Sequence, residues 1–371
     1  IDISYPRKRV RGNIEARVSA WGVTGMGGSL PMWKVLALCL SLWACSPKAS
    51  ELLLPLGDIR PPSVVDAGQT DAHSFTILFD EDVLPVLGSF SFHPAEISAT
   101  PSAEGPLLKV GLNPEAEPGR ECSLLGEVKD AAGNSTRFLF GFVGFNPIPA
   151  KLRLNEVQPC KNTAASNFHR DYIELLVEEA GNLGGIQLQW SSTVKVVSYS
   201  FPPCFVRVGE LIVLHCLPEG VPEEKDECGD DRGLSGGVDA HPGGRDFWAS
   251  GGGIPDATGV IVLRSRASDP VEDGVFFAEK GKLGEVDSSK ISMLLGEMAS
   301  RGIWDCSEPP LWEEALLWKS SSSRPLHCLR KESKGKGSWY IGESGSQSPG
   351  SLEPGVLAAK GGRKAGKPGS P

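Results

Sequence analysis

Short runs of alternating apolar side chains, each cut off within a few residues by Gly, Pro or Asp, are what most limits the fold of this chain. In "HSFTILFDEDV", Phe75, Ile77 and Phe79 fall on one face of an extended segment, the period of two expected where one face is buried. "LLKVGLNPEAEPGRECSLLGEVKDAAGNSTRFLFGF" continues as a strand, a Pro/Gly turn, a second strand, a tight turn from Asp130 to Asn134 and a last strand. Asp130 and Asn134 suit that turn because their side chains bond back to nearby backbone, and Gly133 because it accepts positive φ. With 45 Gly and 29 Pro in 371 residues, the same punctuation recurs along the chain. The expectation is an all-β protein of many short strands.

One stretch breaks the pattern. Val35 to Cys45 is an apolar run of eleven residues, whereas a helix needs about 20 to cross a bilayer. Leu36, Ala37, Leu38, Leu40, Leu42, Trp43 and Ala44 leave Ser41 as its polar residue, so it lacks the polar face of a surface helix. Lys34 precedes it, and a basic start, a short apolar middle and a small residue before the cut is the layout of a secretion signal. Leu42-Trp43-Ala44-Cys45 resembles the lipobox of bacterial lipoproteins. The resemblance implies that the Cys45 thiol takes up the lipid and becomes the new N-terminus. Residues 1–44 are then leader and signal peptide, with 1–25 or 1–31 an over-extended start ahead of Met26 or Met32, and 45–59 a lipidated linker.

The formal charge of −9 is unevenly spread. With the six basic and two acidic residues of 1–44 and the eight basic and three acidic residues of 330–371 set aside, 23 basic and 41 acidic residues remain, a net of −18. Such a body repels phosphate backbones, which argues against a nucleic-acid partner. Nine cysteines include Cys39 and Cys45; the seven beyond them are an odd number. Export permits disulfides. "CFVRVGELIVLHC" puts Cys204 and Cys216 opposite each other if the chain reverses near Gly209-Glu210, a candidate cross-strand disulfide; two buried free thiols are the alternative, since sequence does not give connectivity.

Residues 60–146 resemble the bacterial Ig-like domains of surface and cell-wall proteins. The resemblance rests on Phe79-Asp80-Glu81-Asp82-Val83, on Leu112-Asn113-Pro114 with Pro118-Gly119, and on the turn Asp130 to Asn134, with Cys122 where the family usually has Tyr. It implies a sandwich serving as spacer or binding module. Residues 151–344 resemble the lamin-tail domain in the order of their motifs: Leu152 to Val157, Asp171-Tyr172-Ile173-Glu174-Leu175, and Leu183 to Leu188. The strand pair around Gly259, Ile261, Leu263, Asp273, Val275 and Phe277 follows, and Trp339 with Ser348-Pro349-Gly350 closes the series. Ile186 stands where an aromatic is common, and Trp190 fills that core position. Two stretches, 223–248 and 288–323, are longer than a compact version needs. The fold expected is two Ig-like β-sandwiches in tandem after a lipoprotein signal peptide, with a disordered basic tail at 345–371.

Within this frame Ile173, Leu175 and Val177 are expected to face the core while Tyr172, Glu174 and Leu176 face away. "PPLWEEALLWKS" reads as a short helix with Pro310 in its first turn, Glu313 and Glu314 at its positive end and Lys319 in its last turn, its Trp312 and Trp318 tucked against the sandwich. Asp80, Glu81 and Asp82 read as a solvated edge, Glu156 and Glu174 as structural hydrogen-bond acceptors, and Glu223, Glu224, Asp226, Glu227, Asp230 and Asp231 as a solvated loop without EF-hand spacing. No nucleophile elbow, Walker loop or HExxH is present, and none of the six His has an evident partner in the sequence. No catalytic residue, cofactor or metal is therefore expected. The chain reads as a non-catalytic binding, adhesion or scaffolding protein of the bacterial envelope, periplasmic or at the cell surface. Its partners are the membrane through the lipid and a protein or envelope polymer met by the loops from Glu219 to Gly253. The alternative is an accessory subunit of an extracellular nuclease or phosphoesterase carried on another chain.

Overall fold

A computed structural model describes residues 58–159, 170–319, 326–328, 335–343 and 345–352. Cys45, the leader 1–44, the linker up to residue 57 and the tail from 353 lie outside the described residues. The described residues are all-β apart from one α-helix and short 3-10 turns, and the chain divides into two compact units. Residues 58–116 and 121–142 make the first; residues 117–120 and the chain from 143 onward make the second.

The first unit holds β1 (Val64–Asp71), β2 (Ser74–Phe79), β3 (Leu84–Pro85), β4 (Ser91–His93), β5 (Ser98–Glu104), β6 (Leu107–Asn113), β7 (Glu121–Lys129) and β8 (Ser135–Val143). One antiparallel sheet runs β1-β2-β6-β5; in the other, β3 and β4 pair with successive stretches of β7, and β8 also pairs with β7. The alternation read from the sequence decides the facing. Phe75, Ile77, Phe79, Leu108, Val110, Leu112, Leu124, Phe138 and Phe140 are buried, whereas Leu78, Leu107, Leu125 and Leu139 point outward. Rings from the two sheets meet, Phe75 with Phe140 at 5.7 Å and Phe79 with Phe138 at 6.3 Å, which makes the unit a sandwich. The turn at 130–134 forms as its residues require: the Asp130 carboxylate accepts from the Asn134 amide N–H at 2.8 Å and from its side-chain amide at 2.7 Å.

The second unit holds β9 (Lys151–Gln158), β10 (Tyr172–Glu179), β11 (Gly181–Asn182), β12 (Gln187–Ser191), β13 (Val196–Ser200), β14 (Phe205–Val206), β15 (Leu211–His215), β16 (Gly244–Trp248), β17 (Gly259–Arg264), β18 (Asp273–Glu279), α1 (Ser289–Ser300), β19 (Leu316–Trp318), β20 (Leu326–Cys328) and β21 (Trp339–Ile341). A six-stranded sheet, β16-β15-β10-β9-β20-β21, and a five-stranded sheet, β13-β12-β17-β18-β19, share one continuous core that includes Leu154, Ile173, Trp190, Ile212, Ile261 and Phe276; β11 and β14 form a small ribbon. Two pairings are parallel: β16 on β15, and β19 on β18. A parallel neighbour cannot be reached by a tight hairpin, because the chain must first travel back along the sheet. The two stretches that look too long in the sequence, 223–248 and 288–323, largely overlap these crossovers, 216–243 and 280–315, and the strands they lead into.

The second crossover corrects the expected helix. A single 3-10 turn, Trp312–Glu314, forms in "PPLWEEALLWKS", and Leu316–Trp318 becomes β19, because these three residues pair with Phe277 to Glu279. Trp312 and Trp318 are buried nonetheless. The α-helix lies upstream, where Ser288 caps α1 and Ile291, Leu294, Leu295 and Met298 recur at helical spacing and turn inward. It packs on β17 and β18, with Glu297 accepting from Arg264 at 2.8 Å.

Trp190 anchors the five-stranded sheet: 1% exposed, it donates its indole N–H to the carbonyls of Gly252 and Gly253, the nearer at 3.1 Å. Trp190→Ala is expected to lower unfolding free energy by about 3–5 kcal/mol, read from urea denaturation of the full chain. A loss under about 1 kcal/mol would contradict this account of the core.

Candidate functional site

The chemically richest place in the second unit lies on the face of the six-stranded sheet that sequence alternation assigns to solvent. Tyr172 and Glu174 are buried along with Ile173, Leu175 and Val177, so β10 is covered on both faces. Glu156 on β9 stands opposite Glu174 in the antiparallel register, both carboxylates buried. Two like charges facing each other across a ladder repel, and each is costly to desolvate. Hydrogen-bond donors offset this. Glu156 accepts from the Tyr172 hydroxyl at 2.5 Å and the Ser348 hydroxyl at 2.7 Å; Glu174 accepts from the Asn155 amide at 2.5 Å and the Gly350 N–H at 2.7 Å. Burial, and then the Glu156 charge, push the Tyr172 hydroxyl far above its ordinary pKa, so it stays a donor.

These bonds dock residues 348–350, the start of the tail expected to be disordered. Gly350 has φ of 70°, and a Cβ there would lie 2.8 Å from the Gly244 nitrogen; at Gly243 a Cβ would lie 2.2 Å from the Gly350 carbonyl oxygen. Glycine alone permits that approach of backbone to backbone.

A second cluster organises the 216–243 crossover. Parallel pairing sets Val213 beside Asp246 and His215 beside Trp248, and the His215 Nε2 lies 2.7 Å from the Asp246 carboxylate. The sequence, where 31 positions separate these two, gives no sign of that pair. The Trp248 ring stacks on the imidazole at 3.9 Å. A carboxylate-oriented imidazole is two thirds of an acyl-transfer triad. His215, however, is 2% exposed, and among the described residues no hydroxyl or thiol hydrogen-bonds to it. The surrounding ions hold backbone: Glu227 accepts from the N–H groups of Ser235 and Asp246 at 2.9 and 3.0 Å, and Arg245 donates to the Glu227 carbonyl at 2.7 Å and to Glu210.

The acids of the crossover do not converge on one point. Glu224 accepts from the N–H groups of Glu219 and Gly220, Asp226 from Trp248 at 2.9 Å, and Asp231 from Gly233 at 3.0 Å. Among the described residues, the group that gathers three carboxylates is in the first unit: ligand oxygens of Asp58, Glu81 and Asp130 lie within 4.8 Å of one another. This splits the Asp80-Glu81-Asp82 run, for Asp80 accepts from the Ser63 N–H at 2.7 Å instead. Desolvation, then the charges of Asp58 and Asp130, hold the Glu81 carboxyl above its ordinary pKa. Three oxygens fall short of the six to eight that calcium takes, and both Asp130 oxygens already accept from Asn134.

The expected cross-strand relation of Cys204 and Cys216 does not form. β14, which follows Cys204, pairs with β11, whereas β15, which precedes Cys216, pairs with β10 and β16; both thiols are free and buried. The reversal at Gly209 is present, but it joins strands of different sheets.

A family described as "protein second domain" matches residues 150–341, about half of the chain and nearly the whole second unit. An uncharacterized protein of Treponema pallidum (strain Nichols) is 34% identical over 170 residues, which cover 44% of this chain and 42% of that relative. The aligned region thus spans less than half the length of the relative.

Two measurements check this geometry. Glu174→Ala removes the acceptor that receives Gly350 and Asn155 and is expected to cost about 1–3 kcal/mol, with earlier proteolytic cutting near 348–352; an unchanged cutting pattern would show that the segment is held some other way. Asp273, whose carboxylate accepts from the Leu154 N–H at 2.8 Å, is pushed by burial from 3.8 up to about 6. A carboxyl whose folded pKa is raised stabilises the fold in its protonated form, fully below its unfolded pKa, and that contribution is lost as pH rises through about 6. The Tm of Asp273→Asn relative to wild type should therefore rise as pH goes from 3.8 to about 6 and level off above that. A difference in Tm independent of pH would contradict the assignment.

Proposed function

The chain belongs to the second-domain family matched by residues 150–341, and from this premise we propose that it is an exported, lipid-anchored envelope protein, a non-catalytic module for binding, adhesion or scaffolding. The observation that carries the reading is the eleven-residue apolar run closed by Leu42-Trp43-Ala44-Cys45, too short to span and shaped as a lipobox. In this reading Cys45 bears the lipid, and the protein stands on the membrane facing the periplasm or the outside of a bacterial cell. We read the first unit as a bacterial Ig-like domain and the second as a lamin-tail-like domain, on the order of their motifs.

The non-catalytic part of the reading is supported by how the second unit uses its buried charges. Glu156, Glu174, Glu210, Glu227 and Asp246 are all taken up in hydrogen bonds that hold loops and strands in place. Recognition then falls to exposed loops on a rigid scaffold, above all Glu219 to Gly253, where Asp230 and Asp231 face solvent. An envelope polymer or another protein is the partner class; the acidic body disfavours nucleic acid.

The test is expression of the full chain in a bacterium with lipoprotein processing, followed by membrane fractionation and intact mass of the mature N-terminus. Wild type is expected in the membrane fraction, beginning at an acylated Cys45, and Cys45→Ala is expected to lose both the acyl mass and membrane retention. Wild-type protein that begins upstream of Cys45, carries no acyl chain and fractionates as soluble would overturn the proposal.

A further inference from the structure

Cys204 immediately precedes β14 and is 3% exposed; Cys228 lies in the 216–243 crossover and is exposed. The fold brings these two together across 24 positions of sequence, with the Cys204 Sγ 3.6 Å from the Cys228 carbonyl oxygen and 3.9 Å from that of Glu227. Their meeting is fixed from outside the pair. Arg245 on β16 donates to the carbonyls of Glu227 and Gly229, the residues on either side of Cys228, so the segment carrying the second thiol is pinned to the sheet. On the other side, the Asn182 side chain accepts from the Cys204 N–H at 3.1 Å and fixes the first. Cys216, by contrast, hydrogen-bonds through its thiol to the Leu214 carbonyl within its own strand.

We propose that Cys204 and Cys228 are a disulfide-forming pair that, once oxidised, staples the 216–243 crossover to the sandwich. The reaction is thiol–disulfide exchange with a small-molecule disulfide. The accessible Cys228 thiolate attacks one sulfur of the disulfide and expels a thiolate. The Cys204 thiolate then attacks the Cys228 sulfur of the mixed disulfide and expels the second. Two protein thiols are oxidised, one external disulfide is reduced to two thiols, and the protons of the cysteines pass to the departing thiolates. The bond adds a covalent tie where the crossover is otherwise held by Arg245, Glu227 and the Arg232–Glu210 ion pair. It does not depend on how the chain is exported or anchored.

The sequence allows the pairing to be read directly, because trypsin separates the three cysteines into peptides 196–207, 208–225 and 226–232. The full chain is equilibrated with oxidised glutathione in mildly alkaline buffer, denatured, alkylated without reduction, digested and analysed by mass. Expected is peptide 196–207 linked to 226–232, about 2 Da below the sum of the two reduced peptides, while 208–225 is fully alkylated. The linkage should disappear in Cys228→Ser and persist in Cys216→Ser. Limited proteolysis should cut the 216–243 crossover several-fold more slowly in the oxidised form. A link from 196–207 to 208–225, or Cys204 alkylated after the glutathione treatment, overturns the proposal.

Discussion

A strand can join its neighbour in parallel only after the chain has gone back along the sheet, and the second unit meets this requirement twice. Adding β16 to β15 and β19 to β18 forces two long crossovers whose backbone groups have no ladder to satisfy them. One is stabilised by folding part of itself into α1, which closes its own hydrogen bonds and buries Ile291, Leu294, Leu295 and Met298. The other has no helix, and its N–H groups are met by carboxylates instead: Glu224 caps one turn, Glu227 receives Ser235 and Asp246, and Asp226 receives Trp248. The acidity of the chain is in part the consequence of that choice.

The same economy governs the outer face of the six-stranded sheet. Glu156 and Glu174 would be a liability as facing anions, yet together they form an acceptor for the 348–350 segment, which brings a hydroxyl and an N–H. Gly243, Gly244 and Gly350 remove the side chains that would keep that segment away. Buried charge here specifies where the chain goes, a role consistent with the binding module proposed for the protein.

Much of the fold is legible residue by residue. Phe75, Ile77 and Phe79, the Asp130 to Asn134 turn, and the burial of Ile173, Leu175, Val177 and Trp190 follow from local alternation and turn chemistry, which act over a few neighbouring positions. What fails is of another kind. Leu316 to Trp318 carry helical-looking residues but become a strand because β18 offers an open edge. Ser288 and the apolar spacing of α1 are visible in the sequence, but lie inside a stretch whose length looks like a mere insertion. Cys204 and Cys216 look opposed across a turn, although their strands belong to different sheets.

The sequence by itself determined the all-β character, the core-facing residues of β2 and one buried face of β10, and the tight turn at 130–134, because these depend on period and on the intrinsic preferences of a handful of adjacent residues; that the other face of β10 is also covered, burying Tyr172 and Glu174, it did not determine. Tertiary structure alone decided which strands pair in parallel, which acid receives which N–H, and that His215 meets Asp246 and Cys204 meets Cys228. The first joins positions 31 residues apart through a sheet register, and the second positions 24 apart where Arg245 pins the 227–229 segment to β16. No local preference encodes a register: it is set by how two apolar faces close on one core.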